Sequence, residues 1–318
     1  MRKRSWLLLG AATAAAAATG AVAYEIRRWA KADDPTSGEP LRVPDGEEVK
    51  IEARDGGVLA ALDCGPRDGR TFVLSHCWTG DRRVWGLVAS RLVDAGHRVV
   101  LYDQRGHAGS VAGAAHLTIE ALGDDVCDVL EQLDLRDVTL AGHSMGGMSV
   151  MSFATRHEDV LAERVRKVVL VATAAAGVGL GRGEAADRIA TRLLRSRRLE
   201  RALSDPRVGH VLVRGSVGPK PVLSHLQAVR DTYVATHPDT RAHFFQAMCG
   251  MDLTEGLRDV RLPVVVVAGS HDGLTPVRQA RHIVDCVTDA RLEVVEGAGH
   301  MLPIEVPDRL AEILQEDA

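Results

Sequence analysis

The stretch TLAGHSMGGMSV, from Thr139 to Val150, decides how the fold of this chain is interpreted. It places Ser144 between two glycines, directly after an apolar run. G-x-S-x-G alone is a weak signal in a chain with 31 glycines, because an ordinary glycine-rich turn can carry the same letters. The apolar run predicts a strand and the residues after the glycines predict a helix, and this is the context that a nucleophilic serine requires. We therefore interpret Ser144 as a candidate nucleophile.

Apolar segments and helical patterns alternate on both sides of this stretch. Segments such as RTFVLSHCW and LPVVVVAGS are apolar throughout, which is typical of parallel strands covered on both faces. The helical patterns between them predict crossovers and one doubly wound α/β sheet. A turn signal at Asp55, Gly56 and Gly57 predicts a hairpin near its start. In such sheets the chemistry lies at the carboxyl ends of the strands.

Two further residues at predicted strand ends complete a catalytic pattern. A serine hydroxyl needs a base, and His300 in EGAGHMLPIEVP follows the last predicted strand. Asp272 in AGSHDGLTP follows the preceding strand and can orient that histidine. The alternatives are a surface loop histidine and a turn-forming aspartate before Gly273. The order Ser, Asp, His, each after a strand, favours a triad.

The stretches GHSMGG, DQRGHAGS, GSHDGLTP and GAGHMLP together resemble the α/β-hydrolase family, from about Val49 to the end of the chain. The resemblance implies an eight-stranded, mostly parallel sheet with a helical cap inserted at about residues 174–261. It implies an oxyanion hole formed by the backbone N–H groups of Met145 and Trp78. No grouping of residues has metal-site spacing, and we expect neither a metal nor a cofactor.

The sequence departs from the family pattern at two positions. Cys77 stands where the strand-three loop usually has glycine, and Ala108 stands where DQRGHAGS often has glycine. Both replacements are small, so we expect the backbone path to survive. Cys77 also raises the alternative of a cysteine nucleophile, against which stands its lack of an elbow.

An apolar stripe in the predicted cap is the candidate acyl-binding element. TRAHFFQAMCGM places Phe244, Phe245, Met248 and Met251 at spacings that can form one side of a helix, either as cap core or as a substrate contact. We take Phe244 and Met248 as candidate substrate-binding residues. The stripe then predicts a preference for medium-length acyl esters over acetate and over charged substrates.

These observations predict a serine hydrolase that cleaves carboxylic esters of small to medium acyl groups through an acyl-enzyme. The resemblance leaves open a cofactor-free haloperoxidase (perhydrolase), a C–C bond hydrolase, and a slow-turnover receptor or binding protein on the same fold. Epoxide hydrolases and haloalkane dehalogenases are disfavoured, because they carry aspartate where this chain has Ser144.

The first thirty residues predict a signal or membrane anchor. Three basic residues at positions 2–4 precede an uncharged, alanine- and leucine-rich segment at 5–24, with an A-x-A pattern at 21–23. The alternative is an alanine-rich amphipathic or disordered leader. We expect membrane association through residues 5–24, a linker at 31–48 and a catalytic domain at 49–318, in a protein that is membrane-anchored or exported.

Composition excludes several classes of protein. The formal net charge is −4 and aromatic residues make up 3% of the chain, which argues against nucleic-acid binding. The five cysteines are odd in number and far apart, so neither a disulfide framework nor a zinc knuckle is expected.

Overall fold

The computed structural model describes residues 20–36, 38–178 and 183–317, and within them eight strands form one sheet. The strands are β1 (Gly46–Glu52), β2 (Val58–Cys64), β3 (Thr71–Ser75), β4 (Arg98–Tyr102), β5 (Val138–His143), β6 (Val165–Val171), β7 (Val264–Gly269) and β8 (Ala290–Val295). Their spatial order is β1-β2-β4-β3-β5-β6-β7-β8. The pairs β1/β2 and β2/β4 are antiparallel, and all other neighbours are parallel. The predicted mostly parallel, doubly wound α/β sheet is confirmed.

The predicted hairpin joins β1 and β2. Glu52 pairs with Val58 across the turn, and Gly56 adopts a φ of 84°, a conformation that glycine tolerates without steric cost. Strand β1 begins at Gly46, so the predicted linker gives way to the sheet three residues before its expected end.

Helices cover both faces of the sheet. Around the sheet lie α1 (Gly86–Asp94), α2 (Ile119–Gln132), α3 (Met145–Arg156), α4 (Glu158–Arg164), α10 (Val277–Cys286), α11 (Leu302–Glu305) and α12 (Pro307–Gln315). One apolar core includes side chains of α2, α3, α4 and α10, and the other includes side chains of α1 and α12. Every residue of β4, β5 and β7 is buried. Each large apolar side chain buried there contributes about 1.5–3 kcal/mol, and burial on both faces explains why these strands are apolar throughout.

The segment between β6 and β7 forms a helical cap, which agrees with the insertion expected at about 174–261. It contains α5 (Glu184–Leu194), α6 (Arg197–Ser204), α7 (Pro206–Val213), α8 (Leu223–Ala235) and α9 (Pro238–Gly250). Residues 20–29 are helical as well. Trp29 at the end of that helix is buried in a cluster with Leu203 and Leu226 of the cap and Ile304 of α11.

Most of the predicted anchor at residues 5–24 lies outside the described residues, since the structure is described only from Gly20 onward. Among the helices that are described, none combines the length and the apolar character needed to cross a bilayer.

Candidate active site

The turn between β5 and α3 holds Ser144 in a conformation that most residues avoid. Its backbone has φ 55° and ψ −116°. The Ser144 N–H donates to Val171 O at 2.8 Å, and the Thr173 hydroxyl donates to Ser144 O at 2.7 Å. The Ser144 hydroxyl makes no capping hydrogen bond to α3. Such strain, of order 1–3 kcal/mol, persists only where surrounding contacts fix it, as these do.

The glycines of this elbow are required by close backbone contacts. A Cβ at Gly142 would lie 2.2 Å from Gly146 O, and a Cβ at Gly146 would lie 2.2 Å from Ser75 O. A Cβ at Gly147 would lie 2.7 Å from the Thr173 side chain. Since all three distances are shorter than real Cβ contacts, the G-x-S-x-G-G pattern here is set by packing of the elbow against β3 and β6.

Asp272 and His300 meet at the carboxyl ends of β7 and β8. The His300 Nδ1–H donates to Asp272 Oδ2 at 2.8 Å, and both side chains are buried. This bond leaves Nε2 of His300 as the basic nitrogen. The structure therefore joins two of the three predicted triad residues directly.

The Asp272 carboxylate is held by its own loop. Oδ1 accepts the backbone N–H groups of Leu274 and Thr275 at 2.8 and 2.9 Å, and the Thr275 hydroxyl donates to Oδ2 at 2.8 Å. Burial would raise the pKa of Asp272, but His300 and these donors outweigh it and hold the pKa below its ordinary value. Asp272 is thus a carboxylate at neutral pH, and Thr275 is a residue that the sequence pattern did not single out.

His143 brings the elbow and the histidine loop together. Its Nε2–H donates to His300 O at 2.8 Å, and the two rings lie 5.1 Å apart. Burial and the neighbouring His300 lower the pKa of His143 to about 3, so it stays neutral. Ser144 follows His143 in the chain. No hydrogen bond joins the Ser144 hydroxyl to His300 within the described residues, and such catalytic bonds often form only when substrate binds.

Glu305 fixes the histidine loop from the other side. Its carboxylate accepts backbone N–H groups of Gly218, Gly299 and Met301 at 2.7, 3.0 and 2.9 Å. The His300 N–H donates to Ser216 O at the end of the cap. Glu305 therefore ties the base to the cap, a role that the sequence gave no signal for.

The two predicted oxyanion donors have free N–H groups within the described part of the chain. The Met145 N–H lies at the start of α3, and neither it nor the Trp78 N–H donates to another backbone group. The preceding His76 is locked, because its Nδ1–H donates to Cys77 O at 2.8 Å and its Nε2 accepts the Gln104 N–H at 2.9 Å. The loop that carries Trp78 is thus fixed in place.

The two departures from the family pattern fit the structure. Cys77 is buried, and burial raises the pKa of its thiol to about 12, so it is a poor nucleophile and a small core residue. Ala108 adopts a φ of 40°, a left-handed conformation that glycine adopts at lower cost. The chain tolerates the strain at Ala108 in a loop fixed by the buried Arg105, whose guanidinium pairs with Asp125 and Asp55.

The cap closes over the oxyanion loop through Trp78. Its indole N–H donates to Arg241 O at 3.1 Å, and its ring lies 5.8 Å from Tyr233 and 6.0 Å from Phe245. Ser144 is only 8% exposed, so the nucleophile lies beneath a cover. The sequence analysis missed Tyr233 and Arg241; the four-residue spacing between Arg241 and Phe245 was a signal that could have found one of them.

The structure places the two candidate substrate-binding residues in the apolar core. Phe244 is fully buried and stacks on His107 at 5.5 Å, and Met248 is 5% exposed in the same cluster. Phe245, rather than Phe244, contacts Trp78. Substrate contact by Phe244 and Met248 therefore stays a prediction.

Comparison with known proteins agrees with this geometry. A family model described as "alpha/beta hydrolase fold" matches residues 70–307. The chain is 28% identical to a non-heme chloroperoxidase, CPO-A1, of Kitasatospora aureofaciens, over 80% of this chain and 93% of that protein. It is 26% identical to 3-oxoadipate enol-lactonase 1 of Acinetobacter baylyi, over 83% of this chain and 94% of that protein. An esterase structure from Exiguobacterium antarcticum has a similar fold, with a TM-score of 0.73 and 23% identity over 84% of this chain and 98% of that one.

Proposed function

The chain belongs to the α/β-hydrolase family, and on that premise we propose that it is a serine hydrolase that cleaves carboxylic esters through an acyl-enzyme. The observation that carries the proposal is the strained Ser144 elbow beside the buried Asp272–His300 pair. Sequence order alone suggested these roles, and the hydrogen bonds of the loops support them.

In the proposed reaction Ser144 Oγ attacks the ester carbonyl while His300 Nε2 takes its proton. The charge that develops on the carbonyl oxygen is stabilised by the N–H groups of Met145 and Trp78, a contribution worth about 3–4 kcal/mol per donor in comparable sites. Asp272 stabilises the imidazolium that forms. His300 then protonates the leaving alcohol, and a water activated by His300 releases the acid and restores Ser144.

A second candidate, perhydrolysis, is favoured by one comparison. The chloroperoxidase relative covers most of this chain. If hydrogen peroxide replaces water in the second step, the same acyl-enzyme releases a peracid, which can oxidise halide. Measurement of peracid from an ester with and without peroxide separates the two activities. C–C bond hydrolysis and a slow binding protein remain alternatives that the next experiment separates.

The test is turnover of short p-nitrophenyl esters by the wild type and by Ser144→Ala. We expect kcat to fall by about 10⁶ with the fold intact, the scale seen when a triad nucleophile is removed. Turnover near the wild-type rate in Ser144→Ala would contradict the assignment. A wild type that binds esters without measurable turnover would favour the binding-protein alternative.

We propose small to medium acyl groups as substrates. A groove of about 630 Å³ between residues 113–118 and α9, lined in part by Leu117, Ala247 and Met251, supports this size. The test is kcat/KM over esters of two to twelve carbons, in the wild type and in Phe244→Ala and Met248→Ala. A series that neither substitution alters would leave Phe244 and Met248 as cap core.

We also propose that residues 1–30 hold the protein at a membrane or direct its export, supported by the basic cluster and the uncharged segment that follows it. Fractionation of the full chain should place it with membranes or outside the cytoplasm. Recovery of the intact chain in the soluble cytoplasmic fraction would contradict this.

A further inference from the structure

One buried cation in the cap has no counter-charge. Arg241, near the start of α9, is 1% exposed. Its Nε, Nη1 and Nη2 atoms are all buried without a hydrogen-bond partner among the described residues. Its one recorded side-chain contact is with the face of Tyr233, whose ring centroid lies 4.9 Å from the guanidinium carbon.

The other buried arginines of this chain are paired. Arg98 makes two hydrogen bonds to the Asp63 carboxylate, and Arg105 is held by Asp125 and Asp55. A buried guanidinium without a partner is costly, and a cation–π contact offsets only about 2 kcal/mol of that cost. Arg241 is therefore a cation whose partner is supplied from outside the described chain.

Arg241 lies beside the oxyanion loop. Its carbonyl accepts the indole N–H of Trp78, the residue whose backbone N–H is a proposed oxyanion donor. Tyr233, under the guanidinium, and Phe245, one turn along α9, both contact the Trp78 ring. The side chain thus leaves the cap on the side that covers the nucleophile.

We propose that Arg241 binds a carboxylate of the substrate, so that the enzyme acts on esters or lactones that carry a free carboxylate in addition to the scissile bond. This inference rests on the proposed ester hydrolysis. A guanidinium presents two parallel N–H donors that match a carboxylate, and one unpaired positive charge matches one negative charge. Burial raises the pKa of Tyr233, although Arg241 opposes the shift, so the Tyr233 hydroxyl stays protonated and can donate to the same anion.

The inference differs from the sequence-based expectation that charged substrates are disfavoured. That expectation depended on Phe244 and Met248 as the pocket surface, whereas the structure buries both in the core. Arg241 shares α9 with them, and only the structure shows that its charge is unpaired.

The test compares matched substrate pairs. One pair sets p-nitrophenyl hemiesters of glutaric and adipic acid against neutral esters in which an isopropyl group replaces the carboxylate. The second pair places the carboxylate on the alcohol, as in 4-acetoxybutanoate and its isopropyl counterpart. We expect the wild type to prefer the acid of at least one pair in kcat/KM by about 10- to 100-fold, the range for hydrogen bonds to a charged group.

Variants assign that preference to the guanidinium. In Arg241→Met the ratio of kcat/KM for acid over neutral ester should fall to about one or below, while Arg241→Lys should keep part of it. Arg192→Met removes an exposed arginine of α5 and should leave the ratio unchanged. The melting temperature of Arg241→Met without ligand should equal or exceed that of the wild type, because an uncompensated buried charge is removed.

Binding without turnover gives a readout independent of catalysis. Glutarate and adipate should raise the melting temperature of Ser144→Ala, glutaramide should not, and the effect should vanish in the Ser144→Ala, Arg241→Met double variant. Wild-type turnover that favours neither acid of the two pairs, or a preference that persists in Arg241→Met, would overturn the inference while leaving ester hydrolysis intact. Failure of the wild type to cleave any ester would instead count against the proposed function, and diacid binding that depends on Arg241 would still support the site.

Discussion

Ser144 and the few side chains around it carry the chemistry in this account. Its positive φ is held by one hydrogen bond to the Ser144 N–H and one to its carbonyl, so the hydroxyl is fixed at the start of α3. Asp272 is bonded to His300 and to three donors of its own loop. The site is therefore positioned before substrate arrives, and preorganised donors of this kind are the largest source of rate in acyl transfer.

The Asp272 carboxylate gives a prediction at the residue scale. In Asp272→Asn the amide can donate to His300 Nδ1, which favours the wrong tautomer and removes the negative charge that stabilises the imidazolium. We expect kcat for ester hydrolysis to fall by about 10⁴ with little change in fold. Asp285→Asn, at an exposed position of α10, is the control and should keep the wild-type rate. A loss below tenfold in Asp272→Asn would contradict the role of this carboxylate.

The sequence predicted Ser144, Asp272 and His300, because each follows a strand and their order is distinctive. It could not predict Glu305 or Thr275, whose roles depend on which loops meet in three dimensions. Glu305 accepts N–H groups from Gly218 and Gly299, which lie 81 residues apart in the chain numbering. No local pattern encodes such a contact.

At the scale of elements, the elbow is a backbone-to-backbone contact between β5, α3 and β3. A Cβ at Gly146 would lie 2.2 Å from Ser75 O, where no flexible side chain can move away. We expect Gly146→Ala to lower the free energy of unfolding by about 3 kcal/mol or more, measured by urea denaturation. Gly250→Ala is the matched control, because nothing lies within 4 Å of a Cβ there, and it should be neutral or slightly stabilising. Equal stability of the two variants would show that the elbow is looser than described.

The elements themselves were largely predictable, and their facing was not. The apolar runs and the turn signal at Gly56 predicted the strands and the hairpin, since local pattern is enough for both. In α9 the sequence grouped Phe244 and Phe245 in one stripe, but adjacent residues of a helix point about 100° apart. The structure sends Phe244 into the core against His107 and Phe245 onto Trp78. Which of the two meets the site depends on how the cap is seated, and this is a tertiary property.

At the scale of the whole molecule, buried histidines make stability depend on pH. Burial lowers the pKa of both His107 and His143 to about 3 from an ordinary value near 6.5. The unfolded chain therefore binds more protons than the folded one between these values, and stability present above pH 6.5 is lost as the pH falls. Acidification through this window should thus destabilise the fold.

The variant that isolates this effect is His107→Phe, which keeps an aromatic ring against Phe244. We expect its free energy of unfolding to fall less steeply than that of the wild type between pH 6 and 4.5, by about 1.4 kcal/mol per pH unit. His116→Phe, an exposed position nearby, is the control and should keep the wild-type slope. Parallel slopes for all three proteins would show that His107 is not held neutral in the fold.

The whole-molecule properties that sequence could not supply are those that depend on closure of the cap. The insertion was expected at about 174–261, yet the burial of Arg241 without a partner emerges only when α8 and α9 cover Trp78. Burial of Trp29 against the cap is likewise a contact between distant parts of the chain.

The central claim is that Ser144 is the nucleophile of a covalent acyl transfer, and peptide mapping of a fluorophosphonate adduct tests it most directly. The wild type should gain one phosphonyl group, located by mass spectrometry on the peptide that contains Ser144. Labelling should vanish in Ser144→Ala and slow strongly in His300→Ala, which lacks the base. An adduct on any other residue, or equal labelling of Ser144→Ala, would contradict the account.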